Sequence, residues 1–181
     1  MTRPQLAAPH AGRATVCAIL PVLAAGLGLL ASPATAQQAA THTVKLLTPD
    51  TALKAAQASL AHCRQAGHQV AVAVVDRAGV IQVLLRDRFA GAHTVEVATR
   101  KAWTAASFRI PTTQLATESQ TGQPMSGIRA ASQVMAIGGG LPIEAGGTTF
   151  GGIGVSGAPG GEADDACAVA GLKAIAEAIE F

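Results

Sequence analysis

Two side chains of the 181-residue chain combine a donor atom with a loop position. His93 opens a helical stretch just after the polar loop 87–92, where a ring nitrogen can reach a bound ligand. Met125 lies in Gln123-Pro124-Met125-Ser126-Gly127, a polar loop that offers a soft thioether. Arg86, Arg88 and Arg109 add planar guanidinium forks that match carboxylates, although surface arginines also serve as plain salt-bridge partners. Lys101 falls mid-helix among alanines and beside Trp103. Its spacing from Val97 and Ala105 predicts partial burial, hence a structural ion pair with a partner such as Asp76 or Asp87 ahead of contact with a ligand. The chemistry on offer is binding rather than nucleophilic attack. His42, His62, His68 and His93 have no metal-ligand spacing, there is no His-Glu-x-x-His or Cys-x-x-Cys, and the serines lack a nucleophile-elbow context.

These side chains need elements to hold them. Thr48-Pro49-Asp50 reads as a helix start, with a hydroxyl cap, a proline at the first helical position and an acid in the first turn. Leu53, Ala56, Leu60 and Cys63 recur at helical spacing, and Gly67 ends that helix. Residues 70–75 are all valine or alanine, which predicts a central strand covered on both faces. Asp76-Arg77-Ala78-Gly79 turns the chain into a second strand over 80–86. A helix over 94–108 is stopped by Pro111, and Thr112 or Thr113 caps a short helix reaching residue 118. Residues 119–127 read as loop. Strands over 134–137, 141–144 and 148–156 precede a last helix over 162–179. Its buried stripe is Ala168, Leu172, Ile175 and Ile179, and its first turn is acidic, with Glu162, Asp164 and Asp165. The order predicts an α+β domain: one five-stranded antiparallel sheet with helices on its faces.

Eleven of the twenty glycines fall between Gly138 and Gly161. Gly152, Gly154 and Gly157 spell the Gly-x-Gly-x-x-Gly of dinucleotide-binding sites. That motif requires a helix opening directly from the glycines and a further strand about 20 residues on. Here the glycines lie within the expected strand, Pro159 intervenes, and one helix uses the rest of the sequence. Close packing and tight turns explain them better.

Residues 1–36 read as a secretory signal peptide. Arg3 and Arg13 give the positive start, 16–30 the apolar run, and Ala34-Thr35-Ala36 the cleavage site. Residues 37–47 are then a flexible lead-in and 48–181 a single domain. Without residues 1–36 the chain carries 11 basic and 11 acidic residues. That balance, and one Trp, four Phe and no Tyr, offer no basic stripe or stacking platform for nucleic acid. Cys63 ends the first predicted helix and Cys167 begins the last. Antiparallel packing of those helices on one sheet face brings the two thiols close. Facing helices sit about 8–10 Å apart, wider than the roughly 4.4–6.8 Å that a disulfide spans between Cα atoms. A bonded pair and two buried thiols therefore both stay open.

The motifs resemble the GlcG/HbpS family of haem-binding or haem-degrading domains. The pieces that match are Val72-Ala73-Val74-Val75-Asp76-Arg77-Ala78-Gly79, Arg86-Asp87 with Gly91-Ala92, Lys101-Ala102 and Thr104-Ala105, and Pro111-Thr112. They continue with Gly138-Gly139-Gly140-Leu141-Pro142-Ile143 and residues 151–161 with Asp164-Asp165. The resemblance implies a profilin-like sheet, an oligomer, and haem as the cofactor. On that basis His93 or Met125 is the expected iron ligand, with Arg86 near a propionate and Lys101 as a further ligand-binding residue. The expected function is an exported haem- or tetrapyrrole-binding protein, periplasmic or secreted, acting as carrier, buffer or sensor input. Two alternatives stand beside it: a haem-degrading or other small-molecule enzyme, and a cofactor-free regulatory homo-oligomer that answers to a membrane sensor partner.

N-terminal sequencing of the exported protein should read from Gln37. Retention of residues upstream of Leu30 would refute the cleavage site.

Overall fold

The structure is a computed structural model that describes residues 39–180; the presequence assigned to residues 1–36 lies outside them. Helix α1 (Pro49–Gln65) starts as its sequence demands: the Thr48 hydroxyl accepts from the Thr51 N–H at 3.2 Å, with Pro49 in the first turn. Strands β1 (Ala71–Asp76) and β2 (Ile81–Arg86) form the expected hairpin. Helices α2 (Thr94–Phe108) and α3 (Thr112–Glu118) follow, then a short 3₁₀ turn (Ser126–Ala130). Strands β3 (Gly140–Ala145) and β4 (Thr148–Ser156) make a second hairpin, and α4 (Gly161–Ile179) closes the domain.

The four strands are antiparallel in the order β2-β1-β4-β3. β1 is central and buried on both faces, as its unbroken apolar run requires. Val72 and Val74 face the core beneath α1 and α4, whereas Ala71, Ala73 and Val75 face α2. The α2 side is packed with minimal bulk. A β-carbon at Gly154 would stand 2.1 Å from the Ala98 carbonyl, and one at Gly152 would stand 2.4 Å from that of Ala102. The helix backbone therefore rests directly on β4, and the apparent dinucleotide motif is a packing surface.

The expected fifth strand, 134–137, is absent, because its backbone is claimed by α2 side chains instead of a neighbouring strand. Arg100 donates to the carbonyls of Gln133 and Val134, and the Thr104 hydroxyl accepts from the Met135 N–H at 2.9 Å. Val134 and Ala136 then bury their side chains against Leu115, giving a small third core.

Cys63 and Cys167 are bonded, with Cα atoms 5.5 Å apart. The expected helix spacing was too wide because it ignored side-chain size. A β-carbon at Gly171 of α4 would come within 2.7 Å of the Ala55 carbonyl and 2.2 Å of Ser59 Oγ, so α1 and α4 touch along Ala55, Ser59 and Gly171. The cross-link spans 104 residues. Reducing it, or combining Cys63→Ala with Cys167→Ala, should lower the unfolding free energy by up to about 4.7 kcal/mol, the chain-entropy value for a loop near that length. Urea unfolding with and without reductant measures this; a loss below about 1 kcal/mol would show that helix packing alone holds α1 to α4.

Candidate functional site

The loop between β2 and α2 is rigid at its base and open at its tip. Asp87 anchors it. Its backbone N–H donates to the Val70 carbonyl at 2.9 Å, while its buried carboxylate accepts from the Val70 N–H and from Arg64 Nε at 2.7 Å. Arg86 donates to the Ala90 carbonyl across the loop, and the Thr94 hydroxyl donates to the Gly91 carbonyl. Asp87 therefore pairs with Arg64 of α1 and not, as its place in the sequence suggested, with Lys101.

At the tip, Phe89 is 78% exposed and the Arg88 guanidinium lies 5.7 Å from its ring centroid. A 380 Å³ cleft beside them is lined by Arg64, Gln69, Asp87, Arg88 and Phe89. His93 sits at the helix entry, exposed, in an α-helical conformation with no capping bond from its side chain. Its ring folds over Gly91, where a β-carbon would meet Cε1 at 2.8 Å. The outer strand continues the surface. Ile81 and Leu84 of β2 are exposed opposite Val75 and Ala73, on the α2 side of the sheet, because α2 lies over β4 and β1 and leaves β2 uncovered. Arg86 and His93 thus bracket one loop, with Leu84 exposed toward the Arg86 end of β2 and Ile81 toward its other end.

Met125 is elsewhere. It is half-buried against the third core with Trp103, Phe108 and Ile110, toward the C-terminal end of α2. α2 rises about 1.5 Å per residue, so its 15 residues place that end about 20 Å from His93. No group of three or more histidine, cysteine or acidic side chains among the described residues has a metal-binding arrangement.

Lys101 is only 2% exposed and its amine is spent in the interior. It donates to Asp164 Oδ2 at 2.7 Å and to the Val155 carbonyl at 3.0 Å. The expected partner Asp76 is occupied in its own turn, accepting from the Ala78 and Val80 N–H groups. Asp164 was legible only as a dipole partner at the start of α4; nothing in the sequence linked it to a lysine 63 positions earlier. Its second oxygen accepts from the Ala158 N–H at 3.0 Å. Neighbouring Asp165 accepts from the Gly139 N–H and the Thr113 hydroxyl, which draws β3 and α3 to the same point. Burial pushes the Asp164 carboxyl above the usual carboxylate range; the bond and charge of Lys101 pull it back without cancelling the shift. Phe89 also escaped the sequence reading, because a lone aromatic in a polar loop carries no periodic signal.

The model of the family described as haem degrading protein HbpS-like matches residues 47–173. Among solved structures, a double mutant of HbpS from Streptomyces reticuli is 36% identical, with a TM-score of 0.71 over 79% of this chain and 96% of that one. The protein ORFY of Klebsiella pneumoniae is 26% identical, with a TM-score of 0.73 over 76% and 96%. PduOC in complex with haem is 28% identical, with a TM-score of 0.69 over 72% and 96%. No curated protein matches the chain.

The buried pair gives a mutational signature. Lys101→Met should cost about 3–5 kcal/mol at neutral pH, because it strands a buried carboxylate. Removing the lysine raises the folded-state pKa of Asp164 further above the unfolded 3.8. A carboxyl raised on folding contributes stability that is full below its unfolded pKa and lost as pH rises through its folded pKa. Part of the Lys101→Met loss should therefore return as the pH is lowered, and Lys101→Met with Asp164→Leu should recover more than half of it. Urea titrations across pH check both; a double variant no better than the single one would show that the pair is not the destabilising element.

Proposed function

The chain belongs to the HbpS-like family of haem-degrading proteins, and on that premise we propose that it binds haem or a related tetrapyrrole at the loop from Arg86 to His93. Family membership and the haem complex of PduOC support haem-related binding. The observation that carries the site is the exposed His93 ring, which makes no hydrogen bond to the described residues and folds over Gly91 in the loop that also carries the exposed Phe89. Haem needs an axial donor, a flat apolar contact and cations for two carboxylates. His93, the exposed Phe89 and Leu84, and Arg86 with Arg88 match those needs. Bound there, haem would supply redox-active iron, and the protein would supply its ligand and its orientation. The 380 Å³ cleft beside Phe89 encloses only part of such a molecule, so the fit is that of a surface or inter-subunit site, in keeping with the homo-oligomer that the resemblance implies.

Export is part of the proposal. The apolar run with its Ala34-Thr35-Ala36 site points to an oxidising compartment, and the Cys63–Cys167 bond is of the kind that persists there. In that setting the protein acts as a haem carrier, buffer or input to a membrane sensor. The second reading, a haem-degrading enzyme, draws on the description of the family itself.

Titration of the purified protein with haemin should give a saturable Soret band. His93→Ala should weaken binding at least tenfold or shift the band, and Met125→Ala should leave both unchanged. A shift with Met125→Ala alone would move the site to the other end of α2. Loss of the Soret band with release of iron on adding ascorbate would favour the enzyme.

A further inference from the structure

The opposite end of the sheet carries a second cluster that haem binding does not use. The β1–β2 turn, the β3–β4 turn, the C-terminus of α2 and the lead-in to α1 meet there around a polar cleft of 330 Å³. Arg77, Arg109 and Lys45 line it, with Thr148 and Thr149. The side chains of Arg77 and Arg109 have no hydrogen-bond or ion-pair partner among the described residues. Neither nearby acid forms an ion pair with these arginines: Asp76 accepts from the Ala78 and Val80 N–H groups, and Glu144 accepts from the Thr149 hydroxyl at 2.7 Å.

Backbone geometry adds an independent observation. Arg109 has φ +57°, the only positive value at a non-glycine among the described residues. It ends α2 in the left-handed conformation where glycine is ordinarily preferred. A β-carbon makes that conformation costly, so an arginine there needs a reason beyond ending a helix. The left-handed turn sets the guanidinium at the cleft beside Arg77. Two unpaired forks and a lysine around one polar cleft are suited to a compact oxyanion with two negative charges.

We propose that this cleft binds a small dianion, a dicarboxylate or a phosphate, independently of haem. β1 separates the two sites. Its first residue, Ala71, pairs with Arg86 of the haem loop, and its last, Asp76, adjoins Arg77. Five residue steps at about 3.3 Å put them roughly 17 Å apart along the strand.

Calorimetric titration of the full mature protein with inorganic phosphate, and separately with succinate, at matched ionic strength, tests the site and distinguishes the two sources of charge. At least one anion should bind one per chain, and both Arg77→Ala and Arg109→Gly should weaken it at least tenfold. Arg109→Gly suits φ +57°, so its melting temperature should equal or exceed the wild-type value, and lost binding cannot be ascribed to misfolding. Haemin titration of the same variants should match wild type, whether or not His93 proves to be the iron ligand. No binding of either anion, anion binding unchanged in Arg109→Gly, or haemin binding lost with these arginines would each overturn the proposal.

Discussion

A lysine ammonium buried in the protein interior must be paired, and the Lys101–Asp164 bridge meets that demand at the junction of three elements. Lys101 comes from α2, Asp164 from the first turn of α4, and the Val155 carbonyl that completes the amine's shell from β4. Gly139 fits between them only because it lacks a side chain. A β-carbon there would lie 2.6 Å from the Val155 carbonyl and 2.8 Å from Lys101 Nζ. The Gly139 N–H then reaches Asp165, and the Gly140 N–H reaches the Thr112 hydroxyl at 2.8 Å. The chain's entry into β3 is thus fixed by polar bonds around one buried charge. Such a network is exacting: satisfied, it specifies a single arrangement; with one partner missing, it costs several kcal/mol.

Around that point the domain is built from close approach instead of large side chains. Alanines of α2 sit on glycines of β4, and Gly171 of α4 sits on α1. Backbones packed this near make many dispersion contacts per residue, which compensates for the scarcity of aromatic bulk. The same closeness brings Cys63 and Cys167 within bonding distance, so the cross-link follows from the small residues and reinforces them.

That rigid frame leaves the proposed binding residues on loops at the two ends of the sheet. Asp87 ties the β2–α2 loop to both α1 and β1, so the side chains beyond it project from a fixed base. His93 and Arg86 stand out as candidates in the sequence because residue type and loop position coincide. Phe89 and the unpaired Arg77 were not, since their meaning depends on neighbours distant in sequence. Lys101 was legible as buried, because a lysine among alanines at helical spacing must enter the core. Its partner was not, because candidate acids are chosen by how helices stack.

Local pattern determined what is local. Caps, proline stops and period-two or helical spacing defined α1, β1, β2, α2, β4 and α4, and the two-faced valine run made β1 central. The family resemblance was equally a property of the sequence. Only the tertiary structure decided the rest. It converted residues 134–137 from a strand into a segment held by Arg100 and Thr104. It joined the two cysteines, and it gave Lys101 to Asp164 and Asp87 to Arg64. It also placed Met125 far along α2 from His93. The physical reason is common to all of these. Propensity and periodicity act over a few residues, whereas hydrogen-bond satisfaction, helix approach and charge pairing are settled by contacts across the whole fold.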